Sequence, residues 1–211
     1  MRKITIVFMT SLLFFLASCG GNKDDEVKKT EIKIDKNEVY TPPKNPTDYQ
    51  AETYNALTKA LKKNNEEAVA KLVAENFTAD FFTLKNKESA EDVGGLTYFP
   101  ATRQEEFKTF AMNYVYSNYQ LIKDDYGKSS LPVVEEVKVG NVSKETITYK
   151  NIIPSEDENV EDQVEENEYE GYVINITISY ESTDVPDKDL KKEAVIYVIK
   201  LDERLVIIKL D

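Results

Sequence analysis

The sequence predicts an α+β fold in which three helices come first and four or more strands follow. Three observations carry this expectation. Apolar residues repeat with helical spacing up to Gly127 and with period two after Pro132. The two patterns are segregated along the chain, which argues against a βαβ wind. The late strands are joined by a tight reversal at Asp202-Glu203-Arg204, so antiparallel pairing is the simplest topology.

The first helix is expected to start at Asn45-Pro46-Thr47-Asp48. Asn45 would cap it, Pro46 would take the first helical position, and Asp48 would complement the dipole. Tyr54, Leu57 and Leu61 then share one face. Asn64 and Asn65 interrupt the pattern, and Asn64 with Glu67 can cap a second helix carrying Ala68, Val69, Leu72 and Val73. Phe77, Phe81 and Phe82 follow as an aromatic knot. Residues 85–101 are polar, with Gly94-Gly95 as a turn. Thr102 and Glu105 have capping-box spacing. They open a third, long helix bearing Phe107, Phe110, Ala111, Tyr114, Leu121 and Ile122, which Gly127 ends. On this helix Tyr114 falls on the buried face and Tyr116 points away as the exposed contact candidate. Tyr119 is intermediate.

Val137 and Val139 alternate with polar neighbours, as do Ile147 and Tyr149. Tyr172, Ile174, Ile176, Ile178 and Tyr180 share one strand face, with Asn175, Thr177 and Ser179 opposite. The stretch 194–201 is apolar on both faces and reads as a central strand, followed by a strand over 205–210. Residues 155–170 hold nine acids in sixteen positions. That density reads as a solvated loop through like-charge repulsion. A divalent-cation site there would have only oxygen ligands and lacks the glycine that orders a calcium loop.

The chain opens MRKITIVFMTSLLFFLASCGG. Arg2 and Lys3 precede an apolar run over 4–16, then small residues. This is the layout of a secretory signal, too short for a transmembrane helix of about 20 residues. Leu16-Ala17-Ser18-Cys19 resembles the bacterial lipobox in all four positions. The resemblance implies a diacylglyceryl group on the Cys19 sulfur, further acylation such as palmitate, and cleavage between Ser18 and Cys19. Cys19 is the only cysteine, so no internal disulfide competes for it. A thioether would also remove a thiol exposed to an oxidising compartment. The expected organisation is a signal peptide over 1–18, a lipidated Cys19 with a stalk over 19–44, and one α+β domain over 45–211. The stalk reading rests on charge and on Pro42, Pro43 and Pro46. Ile32 and Ile34 could add a short edge strand to it. The expected location is the outer face of the cell membrane, held by lipid.

Net charge is −12, and removing residues 1–18 would leave −14. Such acidity argues against nucleic acid and against electrostatic binding to anionic lipid. The chain has no histidine, which removes His-based triads and His-ligated zinc. No phosphate-binding or dinucleotide glycine loop is present. No cofactor and no metal is therefore expected.

The element order, and the stretch DVGGLTYFP followed by a long aromatic helix, resemble the nuclear-transport-factor-2-like (cystatin-like cone) fold over about 45–211. The resemblance implies three helices packed in the hollow of a curved antiparallel sheet. The chain also looks like Gram-positive lipoproteins with one such domain, whose activity is not established. Ketosteroid-isomerase-like members of the fold pair a desolvated carboxyl with a tyrosine donor. The matching candidates are Asp80, among Phe77, Phe81 and Phe82, and Tyr54. That family's acidic donor from a sheet strand has no counterpart at Asn175, Thr177 or Ser179. The alternative is that Asp80 caps a turn and Tyr54 packs in the core, since fold does not imply function. The leading expectation is a non-enzymatic domain that binds a protein or small ligand at the envelope. A small Asp/Tyr enzyme and a structural protein that dimerises through its sheet are the alternatives.

Overall fold

The computed structural model describes residues 32–63, 65–153 and 163–211. The signal peptide, Ser18, Cys19 and Asn64 lie outside the described residues. Among the described residues four α-helices precede four strands: α1 Asp48–Leu61, α2 Glu66–Phe82, α3 Gln104–Tyr114, α4 Tyr119–Tyr126, β1 Val134–Ile153, β2 Gln163–Tyr180, β3 Glu193–Leu201 and β4 Arg204–Leu210. The strands form one antiparallel sheet in the order β1-β2-β3-β4. The class is α+β, as the segregated periods indicate.

The first helix starts later than its proline suggests. The chain turns at Asn45, whose φ is 43°, and Thr47 is the cap. The Thr47 side chain accepts the Gln50 N–H, and the Gln50 side chain accepts the Thr47 N–H at 2.8 Å. On α2 the cap is Asn65, which accepts the Ala68 N–H at 3.1 Å. Phe77, Phe81 and Phe82 are the last turns of α2 itself and not a knot beyond it. Two buried amides pin these helices together. Gln50 donates to the Ala79 carbonyl at 3.0 Å, and Asn76 donates to Thr53 and Leu72 carbonyls. Such bonds fix the helix pair, because an unpaired buried amide is costly.

The packed unit begins well before residue 45. It runs Glu31–Asp211, and residues 32–47 lie across α1 as a strap. Asp35 donates its N–H to Asn55, Thr58 donates to the Asp35 carbonyl, and Asn37 donates to Thr58. Tyr40 is buried, and its hydroxyl donates to the Leu205 carbonyl on β4 at 2.7 Å. Residues 32–44, expected to belong to a stalk, are therefore part of the packed unit. Side-chain hydrogen bonds, without any periodicity, hold these residues in place.

The long third helix is broken. Thr102 lies in a 3-10 turn over Ala101–Arg103 and makes no cap, so the expected box with Glu105 does not form. A second 3-10 turn, Tyr116–Asn118, separates α3 from α4. Three residues per turn in place of 3.6 rephases the side chains. Tyr116 swings into the core at 0% exposure, and Tyr114 is left 72% exposed. Both expectations for these tyrosines are thus reversed. Tyr119 is buried, while Phe110 and Leu121 are exposed rather than core. Gly127, with φ 88°, ends α4 as expected.

In the sheet, Tyr172, Ile174, Ile176 and Ile178 of β2 face the helices with Ile196 and Val198 of β3 and Leu205 and Ile207 of β4. Asn175, Thr177 and Ser179 are exposed on the other side. Asp202 and Glu203 both have positive φ, 47° and 66°, and close a two-residue hairpin between Leu201 and Arg204. The acidic stretch is not wholly a loop. Residues 163–170 are strand, paired with β1 from Ile153↔Gln163 onward, and 154–162 lie outside the described residues. Cross-strand ion pairs Lys144–Glu170 and Lys150–Glu166 offset part of the repulsion that suggested a loop.

Candidate functional site

The feature that stands out is a half-open apolar groove of about 360 Å³ between the helices and the sheet. Phe77, Phe81 and Phe82 of α2 line one side. Phe107, Phe110, Tyr114 and Val115 of the α3 region, with Ile122 of α4, line a second. Tyr180, Ala194, Ile196 and Leu210 come from the strands, and Val185 and Leu190 from the loop between β2 and β3.

An aromatic path runs from the core to this groove. Phe81 stacks on Phe77 at 5.1 Å, and Phe77 meets Phe99 edge-on at 5.4 Å. Phe99 stacks on Phe107 at 3.9 Å, Phe107 reaches Phe110 at 6.4 Å, and Phe110 reaches Tyr114 at 5.0 Å. Only Ala111 of α3 is fully buried; Phe107 packs partly buried against the core, and Phe110 and Tyr114 are left exposed at the groove. Phe110 is 50% exposed. Burying such a ring gains about 1.5–3 kcal/mol, and the groove leaves that gain unrealised. Aspartates 189 and 211 and Lys191 also border the groove. Asp211 is paired with Lys209 at 2.6 Å, and that bond holds its carboxyl below the usual range. Thr78 and Tyr180 spend their hydroxyls on the Ala74 and Lys191 carbonyls.

Asp80 does not line this groove. Its carboxylate accepts the Lys87 ammonium at 2.6 Å and the Gly95 N–H at 2.7 Å. Lys87 is 2% exposed. Two tyrosines tie the same loop down. The Tyr116 hydroxyl donates to the Phe81 carbonyl at 2.7 Å and accepts the Gly94 N–H, and Tyr119 donates to the Lys87 carbonyl at 2.9 Å. Burial pushes the Tyr116 hydroxyl far above its ordinary pKa. Gly94 is required here, because a Cβ would lie 2.5 Å from the Asp80 carbonyl oxygen. Tyr54 is also fully buried, and its hydroxyl donates to the Tyr40 carbonyl. The two residues singled out for acid–base chemistry are thus engaged with separate partners and not with each other.

Lys87 gave no sequence signal, since a lysine in a polar stretch ordinarily reads as exposed. Phe110 and Tyr114 did give a signal, helical spacing, but it pointed them inward. Among the described residues no group of three or more Asp, Glu, His or Cys side chains could hold a metal ion. Among the same residues no helix is long and apolar enough to cross a membrane. No protein-family model, curated protein or solved structure matches the chain.

Proposed function

We propose that the protein is a lipid-anchored, extracytoplasmic binding domain whose apolar groove takes a small apolar ligand. The groove carries the reading. It is concave, its volume falls in the range of small-molecule sites, and it is lined by aromatic side chains with few polar groups. Helices laid on one face of a four-stranded antiparallel sheet, with a cavity between them, support assigning the domain to the nuclear-transport-factor-2-like cone. The lipobox-like Leu16-Ala17-Ser18-Cys19 supports the anchor. Twelve residues, 20–31, then connect Cys19 to the first described residue, and they span at most about 40 Å. The groove would work close to the bilayer.

Two measurements test the two halves. N-phenyl-1-naphthylamine, an uncharged apolar fluorophore, is expected to bind saturably with a blue-shifted emission. Phe110→Asp should weaken it by about tenfold or more, because that ring is worth over 1.4 kcal/mol when covered. Absent saturation, or equal binding by the variant, contradicts the groove assignment. For the anchor, Cys19→Ala should release the protein from membranes and abolish fatty-acid labelling. Unchanged retention refutes lipidation.

A further inference from the structure

A second cavity lies near the opposite face of the sheet and shares no lining residue with the groove. The long β1–β2 hairpin creates it. Gly171 faces Glu145 on β1 and Ile199 on β3. Its missing Cβ leaves room for the Ile147 and Ile199 side chains, which would lie 2.6 and 2.8 Å from such an atom. That close approach lets the hairpin arm fold against the back of β3 and β4. Ile147, Tyr149, Ile199 and Val206 form a small separate core there.

Beyond that core the arm borders a cleft of about 440 Å³, closed by the β3–β4 turn and by the segment at 100–104. Its character differs from the groove. Asn151, Asn167 and Glu165 come from the arm, Asp202 and Arg204 from the turn, and Tyr169 adds a ring. Tyr149 lines the cleft at 5% exposure, and its hydroxyl is buried without a hydrogen-bond partner among the described residues. A buried hydroxyl left unpaired in a native fold calls for a missing partner, a water or a ligand atom.

The charges narrow the class of ligand. Arg204 donates to the Val39, Thr97 and Phe99 carbonyls, so its guanidinium is occupied with holding the strap and the 97–99 turn. Glu165 and Asp202 then leave the cleft acidic, which disfavours an anion. Amides and carboxylates together match vicinal hydroxyls, which both donate and accept, and a tyrosine ring can cover an apolar sugar face. We propose that this cleft binds a short neutral saccharide.

The test uses the full chain and two probes, maltotriose and N,N′-diacetylchitobiose, read by saturation-transfer NMR. At least one probe is expected to receive transfer. Tyr149→Phe and Asn167→Ala should each weaken that binding by about five- to tenfold, as losing one hydrogen bond does. Binding of N-phenyl-1-naphthylamine should stay unchanged in both variants, which separates this cleft from the groove. No transfer to either probe overturns the proposal, as does equal binding by wild type and variants. Tighter binding of glucose 6-phosphate than of the neutral probes, or of calcium alone, overturns the neutral class. A Tyr149→Phe variant that keeps wild-type sugar binding while melting higher shows an idle hydroxyl, and also overturns it.

Discussion

Asp80→Ala is expected to lower the unfolding free energy by about 3–5 kcal/mol. The loss follows from what the substitution leaves behind. Lys87 is 2% exposed, so its ammonium would remain buried with no counter-charge. The Gly95 N–H would lose its acceptor as well. A buried pair of this kind contributes little net stability over an apolar one, yet breaking it from one side is costly. The double variant Asp80→Ala with Lys87→Met should therefore recover much of the loss, as coupled neighbours do. Urea unfolding followed by tyrosine fluorescence and far-UV circular dichroism measures both. A loss below about 1 kcal/mol would mean the pair behaves as a solvated one. That result would remove the physical reason for placing Asp80 in a structural latch.

Phe77→Ala should cost about 3–5 kcal/mol by cavity formation. Phe77 is 1% exposed and stands where the core becomes the groove. It stacks on Phe81, meets Phe99 edge-on, and fills the space where a Cβ on Gly95 would lie 2.7 Å away. The contrast with Phe110→Asp is what makes the prediction useful. Phe110 is half in water, so its substitution should change stability by no more than about 0.5 kcal/mol while affinity falls. Phe77→Ala should do the reverse, losing stability while the aromatic flank of α3 remains to hold a probe. A Phe77 variant with nearly wild-type stability would show that the aromatic path is not packed as a unit.

Much of the sheet was legible because strand burial is local. The alternation through Tyr172, Ile174, Ile176 and Ile178 needs no tertiary knowledge, and neither does the reversal at Asp202-Glu203. The amphipathic faces of α1 and α2 were readable for the same reason. Failures occurred where distant partners decide. Tyr116 is drawn inward by the Phe81 carbonyl and the Gly94 N–H, and the 3-10 turn that permits this rephases everything after it. The strap over residues 32–47 is held by Asn37, Asn55 and Thr58, single polar contacts that leave no pattern. The acidic segment 163–170 pairs with β1 as strand, where Lys150 lies directly opposite Glu166 and Lys144 reaches Glu170 diagonally. The groove was half legible. Helical spacing puts Phe107, Phe110 and Tyr114 on an apolar flank, but it does not distinguish a buried flank from one that lines an open cavity.

The groove assignment is tested most directly by methyl NMR of the full chain titrated with N-phenyl-1-naphthylamine. A ligand seated between α3–α4 and the sheet should shift Val115, Ile122, Leu190, Ala194, Ile196 and Leu210, and spare Ile147, Ile199 and Val206 on the back of the sheet. Shifts confined to the back face, or no localised shifts at saturation, would contradict it.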